Sequence, residues 1–472
     1  MNDARKERLE RAQARLIKLA QAWAGKWAFD ADEARALRRE AILINHSHYL
    51  ESVPAYGKLA REAGIGEVND LDPIKKELMS TDDLFKSYQQ EWLDRRDFGR
   101  MNEWLSTVFH ARIRIDVTGV RTIDEWIARL SAGGVIPVYS SGTTGAFSFV
   151  PRDQRGWNLF TGAPVCYLTP TLLLEKNIGK WWQRLLFRPA ARALGWESFA
   201  RLVRRMGLPD YDGIFLNFRR GNMGIQLVGQ EFARLFPDAA FLYDIDLSAS
   251  ALRLIARGAT SDDDRKILAD FQAGTIGKKD ENYARVIARI KRAAEGGKKV
   301  FVFGAPYQVK ELAEIVGRTE GRMPLLPDSF ILFGGGWKTF EGERIEREAL
   351  VKLIADTFGI AAEHVVEGYS MTEINCVMVR CEHGRFHVPP VLEPVILDEE
   401  LRPLEGNDVS GAFGFLDPFA VSYPGFIISG DNVRMIDGEC GCGLSGPAFT
   451  SIARAPGREV KGCGGIMASV RA

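Results

Sequence analysis

Val135-Ile136-Pro137-Val138-Tyr139, followed at once by Ser140-Ser141-Gly142-Thr143-Thr144-Gly145, is the stretch that decides the fold. The first five residues read as a short buried strand. Gly142 and Gly145 then let the backbone turn and expose its N–H groups, and the four hydroxyls add further donors. A loop of this kind, set directly after a strand, cradles phosphate oxygens. It is not a Walker A loop, because no Gly-Lys-Ser/Thr follows. The competing reading is a Gly/Ser surface turn.

Downstream of this loop, short apolar runs alternate with helical stretches. Strand candidates are 214–217, 239–243, 299–303 (Lys-Val-Phe-Val-Phe) and 329–333, with helices over 195–206, 281–295 and 343–358. That alternation predicts βαβ units and a mostly parallel sheet. Beyond 360 the strand candidates crowd together, at 364–367, 376–380, 385–388, 394–397, 412–416, 426–429 and 432–436. Few helices fit there, so a twisted β-rich part is expected. Upstream, 4–24, 31–50, 57–63 and 72–108 carry helical patterns. The chain therefore divides into a helical N-terminal layer (1–125), an α/β core (126–360), which the motifs and resemblance below make nucleotide-binding, a β-rich subdomain (361–437) and a short Cys/Gly-rich tail (438–472).

Composition narrows the function. Lys plus Arg number 62 and Asp plus Glu 62, so the formal net charge is zero, which argues against a general nucleic-acid binder. No stretch reaches the roughly 20 apolar residues of a membrane span, so no integral membrane segment is expected. The N-terminus is too charged for a secretory signal, and six cysteines in 472 residues do not make a disulfide scaffold. A cytoplasmic enzyme is the expectation.

Three further motifs follow apolar strands. Gly334-Gly335-Gly336-Trp337-Lys338 lets a flat ligand lie against backbone. Glu367-Gly368-Tyr369-Ser370-Met371-Thr372-Glu373 projects an aromatic that can stack on a base, a hydroxyl for phosphate and a carboxylate for Mg²⁺. Ser429-Gly430-Asp431 offers a carboxylate to both hydroxyls of a ribose. Taken singly, these read as a flexible turn, a packed aromatic and a Gly-Asp turn.

The cysteines give a separate pattern. Cys381, His387, Cys440 and Cys442 are spaced C-x5-H, then 52 residues, then C-x-C. Two hairpins can bring them together, and three thiolates with one imidazole suit a closed structural Zn²⁺ site. Cys376 and His383 compete for a ligand place, and buried thiols beside a surface histidine are the alternative. His46, His48 and His110 show no partner spacing and read as structural or exposed. Cys166 reads as a core thiol. The Trp181, Trp182 and Phe187 cluster reads as core packing, with docking of a partner or an acyl chain as the alternative.

In this order, the four strand-end motifs resemble the adenylate-forming superfamily of acyl- and aryl-CoA ligases, over about residues 40–463. His46–Ile65 looks like the helical entry of phenylacetate–CoA ligases. Gly414-Phe415-Leu416-Asp417-Pro418 and Ser422-Tyr423-Pro424-Gly425-Phe426 look closer to the acyl-protein synthetases of bacterial luminescence fatty-acid reductase systems. The resemblance implies an α/β fold with a large N-terminal domain of parallel and mixed sheets. With 41 residues after Asp431, the C-terminal lid domain is expected to be truncated or absent.

It also implies roles. Ser140, Ser141, Gly142, Thr143, Thr144 and Gly145 would close over the ATP phosphates. Tyr369 would hold adenine, Thr372 and Glu373 would meet the α-phosphate and Mg²⁺, and Asp431 would bind ribose. Arg454 is the basic residue that assists, with Arg458 second, and Gly335, Gly336 and Trp337 would line the adenine and acyl region. Many members have a lysine after the glycine loop; here Arg152 is the nearest cation. Acyl-protein synthetases take the acyl group onto a cysteine near the C-terminus, which maps to Cys463 with Lys461 beside it. Several phenylacetate–CoA ligase relatives carry a Cys/His cluster like the one above.

The implied activity is ATP-dependent formation of an acyl-adenylate from a fatty or other hydrophobic acid. The acyl group then passes to Cys463 for delivery to an acyl reductase partner. The alternatives are an aryl- or acyl-CoA ligase that uses CoA directly, and a non-catalytic adenylate-binding scaffold.

Overall fold

The computed structural model describes residues 1–141, 146–172, 180–337 and 342–455. Its N-terminal quarter is helical for local reasons. Asn2 caps helix Asp3–Ala24 by accepting from the Arg5 N–H, and Asp30 caps Ala31–Ser52 through the Glu33 N–H. Leu9, Leu16, Ile17 and Ala20 line the buried stripe of the first helix. Pro54 opens helix Pro54–Ala63, its fixed φ suiting the first turn. The region 72–108 is more broken than its helical pattern predicts. Asp72–Glu77, Gln90–Asp94 and Phe98–Leu105 are short helices, and between them Ser80–Thr81 (β1) leaves the layer to pair with a strand near residue 427.

The strands follow in chain order. Ile136–Ser141 (β2) and Phe147–Arg152 (β3) form an antiparallel pair flanking the glycine loop. Ser140 and Ser141 are thus strand residues. Next come Tyr211–Arg220 (β4), Ala240–Asp246 (β5), Lys299–Gly304 (β6), Phe330–Gly334 (β7), Val365–Tyr369 (β8) and Met378–Val379 (β9). They make one sheet in the order β5-β4-β6-β7-β8-β9, parallel except for the β8–β9 pair. Helices including Gly224–Ala233, Lys279–Glu295, Pro306–Thr319 and Arg347–Phe358 connect its strands. Burial on both faces is why β6 and β7 read as continuous apolar runs.

Phe386–His387 (β10), Glu393–Leu397 (β11), Asp408–Leu416 (β12), Phe426–Glu439 (β13) and Ser445–Arg454 (β14) build a second sheet. Its order is β10-β14-β13-β12-β11, antiparallel throughout, with β1 parallel to β13. Two expectations are corrected here. Residues 426–429 and 432–436 are one strand of 14 residues, because Gly430 does not turn the chain. Residues 445–454, read only as part of a Gly- and Cys-rich tail, are a full partner strand.

The main core runs from the N-terminal helices through both sheets, and Cys166 is a core thiol within it. In helix Trp181–Ala193, Phe187 is fully buried against Phe199 and Trp27. Trp181 and Trp182 face outward, so the core reading fails for both. No helix among the described residues is long and apolar enough to cross a membrane.

Candidate functional site

The carboxyl ends of β7 and β8 lie side by side, with Gly334 paired to Gly368. Ligands of open α/β sheets bind at such strand ends. Beyond β7, Gly335 and Gly336 have φ of +88° and +72°, a left-handed conformation that other residues adopt only with strain. Trp337 follows and packs beside Ala305 and Tyr307.

At the end of β8, Tyr369 turns toward the second sheet. Its hydroxyl donates to Asp431 Oδ2 at 2.8 Å, and Arg454 Nη1 donates to Asp431 Oδ1 at 2.9 Å. Register explains the second contact, since Asp431 on β13 is the direct cross-strand partner of Arg454 on β14. It also explains Gly430. A Cβ there would lie 2.6 Å from the Arg454 guanidinium, so the glycine marks a close approach inside a strand. Burial and the adjacent Asp431 carboxylate push the Tyr369 hydroxyl well above its usual pKa. Tyr369, Asp431 and Arg454, distant in sequence, thus form one linked set.

Thr372 and Glu373 sit on the next turn, both buried. Thr372 Oγ1 comes close to Gly224, the first residue of helix Gly224–Ala233. A helix N-terminus is a favourable place for an anion. Beneath this turn lies a support that the sequence did not announce. Arg152, at the end of β3, is fully buried and donates from Nη2 to the Thr372 carbonyl at 2.7 Å. Its guanidinium lies over Phe160 and Tyr423, with ring centroids 4.2 and 5.0 Å away. The Tyr423 hydroxyl donates to the Glu373 carbonyl at 3.1 Å. Asn375 gives Asp417 Oδ2 both its backbone N–H (2.7 Å) and its side-chain amide (2.9 Å). Burial raises the Asp417 carboxyl to about 6 although these N–H donors and Arg152 pull the other way. Asp417 and Tyr423 stand in the stretches that carried the family resemblance; Arg152 gave no signal beyond being the nearest cation.

Ser140 and Ser141 are placed at the end of β2, buried. The Tyr139 N–H bonds to the Asn222 carbonyl at 3.0 Å, two residues before Gly224. Gly142, Thr143, Thr144, Gly145, Lys338, Arg458, Lys461 and Cys463 lie outside the described residues.

A second group lies elsewhere on the antiparallel sheet. Cys381, His387, Cys440 and Cys442 present ligand atoms that all fall within 4.8 Å of one another. Cys381 Sγ is 3.9 Å from Cys440 Sγ, and Cys442 Sγ is 3.2 Å from His387 Nε2. Tetrahedral Zn²⁺ with Zn–S bonds of about 2.3 Å sets sulfurs roughly 3.7 Å apart, so the donor set fits that ion. Neither Cys376 nor His383 belongs to the group.

His46, His48 and His110 are not exposed. His46 bonds Tyr56 and the Gly66 carbonyl, at 2.7 and 2.9 Å. His48 meets His110 edge-on, and His110 Nε2 lies 3.4 Å from Asp153.

Comparison with known proteins finds similarity over part of the chain. Residues 279–470 match the family model described as "Acyl-protein synthetase, LuxE". A "Long-chain-fatty-acid--luciferin-component ligase" of Vibrio harveyi is 27% identical over 193 residues, 40% of this chain and 50% of that protein. Its namesake from Aliivibrio fischeri is 24% identical over 196 residues, with the same shares. The chain spans about half the length of the curated relatives it matches. Among solved structures, an open conformation of 2-hydroxyisobutyryl-CoA ligase in complex with 2-HIB-AMP and CoA aligns with a TM-score of 0.48 at 13% identity. That alignment covers 91% of this chain and 76% of that one. Over residues 279–470, the stretch that holds Tyr369, Thr372, Glu373, Asp431 and Arg454, this chain is similar to the acyl-protein synthetases.

Proposed function

We propose that this protein activates a carboxylic acid with ATP to an acyl-adenylate. The linked Tyr369–Asp431–Arg454 set beside the Thr372–Glu373 turn carries the reading. It supplies an aromatic face, a carboxylate for ribose hydroxyls and donors for phosphate within one strand-end site. The names of the curated relatives favour a long-chain fatty acid as substrate.

The chemistry joins two anions. A carboxylate oxygen attacks the α-phosphorus, the bond to the bridging oxygen breaks, and pyrophosphate leaves with its electron pair. The protein's task is to hold the partners in line and spread the developing charge. Thr372 beside the helix N-terminus meets the phosphate, while Arg152 fixes that turn from below through its backbone carbonyl. Asp431 orients the ribose, held in turn by Tyr369 and Arg454. Mg²⁺ held by Glu373 would neutralise phosphate charge. Zn²⁺ in the Cys381, His387, Cys440 and Cys442 cluster would tie two hairpins together and take no part in the reaction.

In the second half-reaction the Cys463 thiolate attacks the acyl carbon, a thioester forms and AMP leaves. The reading rests on the position of Cys463 in the sequence and on the family similarity. A partner protein such as an acyl reductase would then take the acyl group. Incubation with ATP, Mg²⁺ and a panel of fatty and aryl acids, without CoA, tests both halves. Acid-dependent ATP–pyrophosphate exchange is expected, together with a hydroxylamine-labile acyl mass on the Cys463 peptide. Exchange without that adduct would hand the acceptor role to CoA. No exchange with any acid would end the adenylation reading and leave a binding scaffold.

A further inference from the structure

The largest unexplained surface feature is the helix Trp181–Ala193. Six large hydrophobic side chains are exposed among the described residues, and four of them are on this one helix. They are Trp181 (69%), Leu185 (65%), Leu186 (55%) and Trp182 (36%). Gln183, Phe187 and Ala191 form the buried stripe, at four-residue spacing. That stripe is satisfied, because Phe187 packs on Phe199 and Trp27 and Gln183 donates to the Gly207 carbonyl. Trp181 and Leu185, one turn apart, therefore point away from the core. Arg192 lies two turns beyond Leu185 on the same outward face and is exposed, as is Arg188 at its edge. Between Lys180 and Arg205 the chain has seven lysines and arginines and one acid, Glu197, in a protein of zero formal net charge.

We propose that this helix is a membrane-surface contact that seats on an anionic lipid bilayer. Its indoles and leucines enter the interfacial layer, and Arg192 meets headgroup phosphates. Three features select this occupant. Isolated exposed apolar residues are ordinary, but a contiguous tryptophan–leucine face is not. Tryptophan favours the boundary between headgroups and acyl chains. An apolar face bordered by arginine describes a helix that lies in an interface plane, and the local basic excess complements anionic headgroups.

The test uses the full chain without ATP or acid, so it stands or falls apart from the proposed reaction. Vesicles of phosphatidylcholine with about one-third phosphatidylglycerol are compared with pure phosphatidylcholine by co-sedimentation. Binding to the anionic vesicles is expected, with loss at about 0.5 M salt. Trp181→Ser with Leu185→Ser should lower the partition coefficient roughly tenfold or more, and Arg192→Glu should lower it several-fold. All three positions are exposed, and unchanged thermal unfolding confirms that the variants fold. No preference for anionic vesicles overturns the proposal, as does binding that the serine variant leaves intact. A wild-type dimer that the serine variant dissociates, with no vesicle binding in either, would assign the face to a second copy of this chain instead.

Discussion

At its open end the β13–β14 hairpin pairs Asp431 with Arg454; at its turn it presents Cys440 and Cys442. Some eight residues of strand, roughly 25–30 Å, separate the two ends. The open end is closed electrostatically from within the chain, each carboxylate oxygen of Asp431 having its own donor. The turn end is built differently. Three thiols and an imidazole from two hairpins crowd to tetrahedral spacing, and soft ligands so arranged call for a metal. One hairpin thus serves two kinds of stability. In the proposed reading its open end holds a polar geometry ready for a ligand, and its turn end would be a cross-link once zinc is bound. The two ends should answer to different perturbations.

The largest effect is expected at the turn. Cys442→Ser should reduce bound zinc from one per chain toward none and cost more than about 4 kcal/mol of stability, as losses of structural metals do. Metal analysis beside chemical denaturation checks this. Full stability in a zinc-free preparation would break the comparison, making the four residues an ordinary buried cluster.

At the open end Asp431→Asn keeps the shape but removes the charge that Arg454 and Tyr369 share. Acid-dependent ATP–pyrophosphate exchange should fall by about 10²-fold, with zinc content unchanged. Unchanged exchange would separate Asp431 from the site.

How much of this was legible in the sequence depends on the range of the forces involved. Strand-end placement of Gly335 and Tyr369 is readable, since apolar runs and the glycines near their ends are local signals; Asp431 instead lies inside a continuous strand. The cysteine cluster was readable in part: C-x5-H and C-x-C each fit one hairpin, but Cys376 and His383 compete for a place until the structure leaves them out. Gly430 reads as the end of an apolar strand, because a glycine required by a guanidinium from a neighbouring strand leaves the same letter as one that ends a run. Arg152 reads only as the cation nearest the glycine loop, because its burial comes from Phe160, Thr372 and Tyr423, contributed by three separate segments. The Trp181 helix was assigned to the core since an amphipathic pattern does not say which apolar face finds a partner. Among the described residues Phe187 is buried against partners, while Trp181 and Leu185 are exposed.

A pH profile sharpens the contrast. Asp417 supports the open-end site through Asn375, and burial raises its carboxyl from the usual 3.8 to about 6. Between those values the unfolded chain has released the proton while the folded one keeps it. Its contribution to stability is therefore fully present below about pH 4 and is lost as pH rises through about 6. The loss amounts to at most about 3 kcal/mol. Asp417→Asn should remove that slope, measured as unfolding free energy against pH relative to wild type. A difference that stays flat from pH 4 to 7 would show that the carboxyl is not held protonated there.

The smallest effect tests whether the open end is arranged in advance for its ligand. Asp431 offers a ribose only the lone pairs that Tyr369 and Arg454 leave over. The Tyr369 hydroxyl therefore either holds the carboxylate in its binding rotamer or competes with the ribose for it. Tyr369→Phe separates the two, because the ring and any stacking on adenine are kept while the 2.8 Å hydrogen bond is lost. If the bond pre-orients Asp431, KM for ATP in the exchange assay should rise about fivefold, near the 1 kcal/mol of a typical hydrogen bond, with kcat little changed. A KM that falls would mean competition. In that case the Tyr369–Asp431 contact belongs to the ligand-free state, and Arg454 alone positions the carboxylate when ATP is bound.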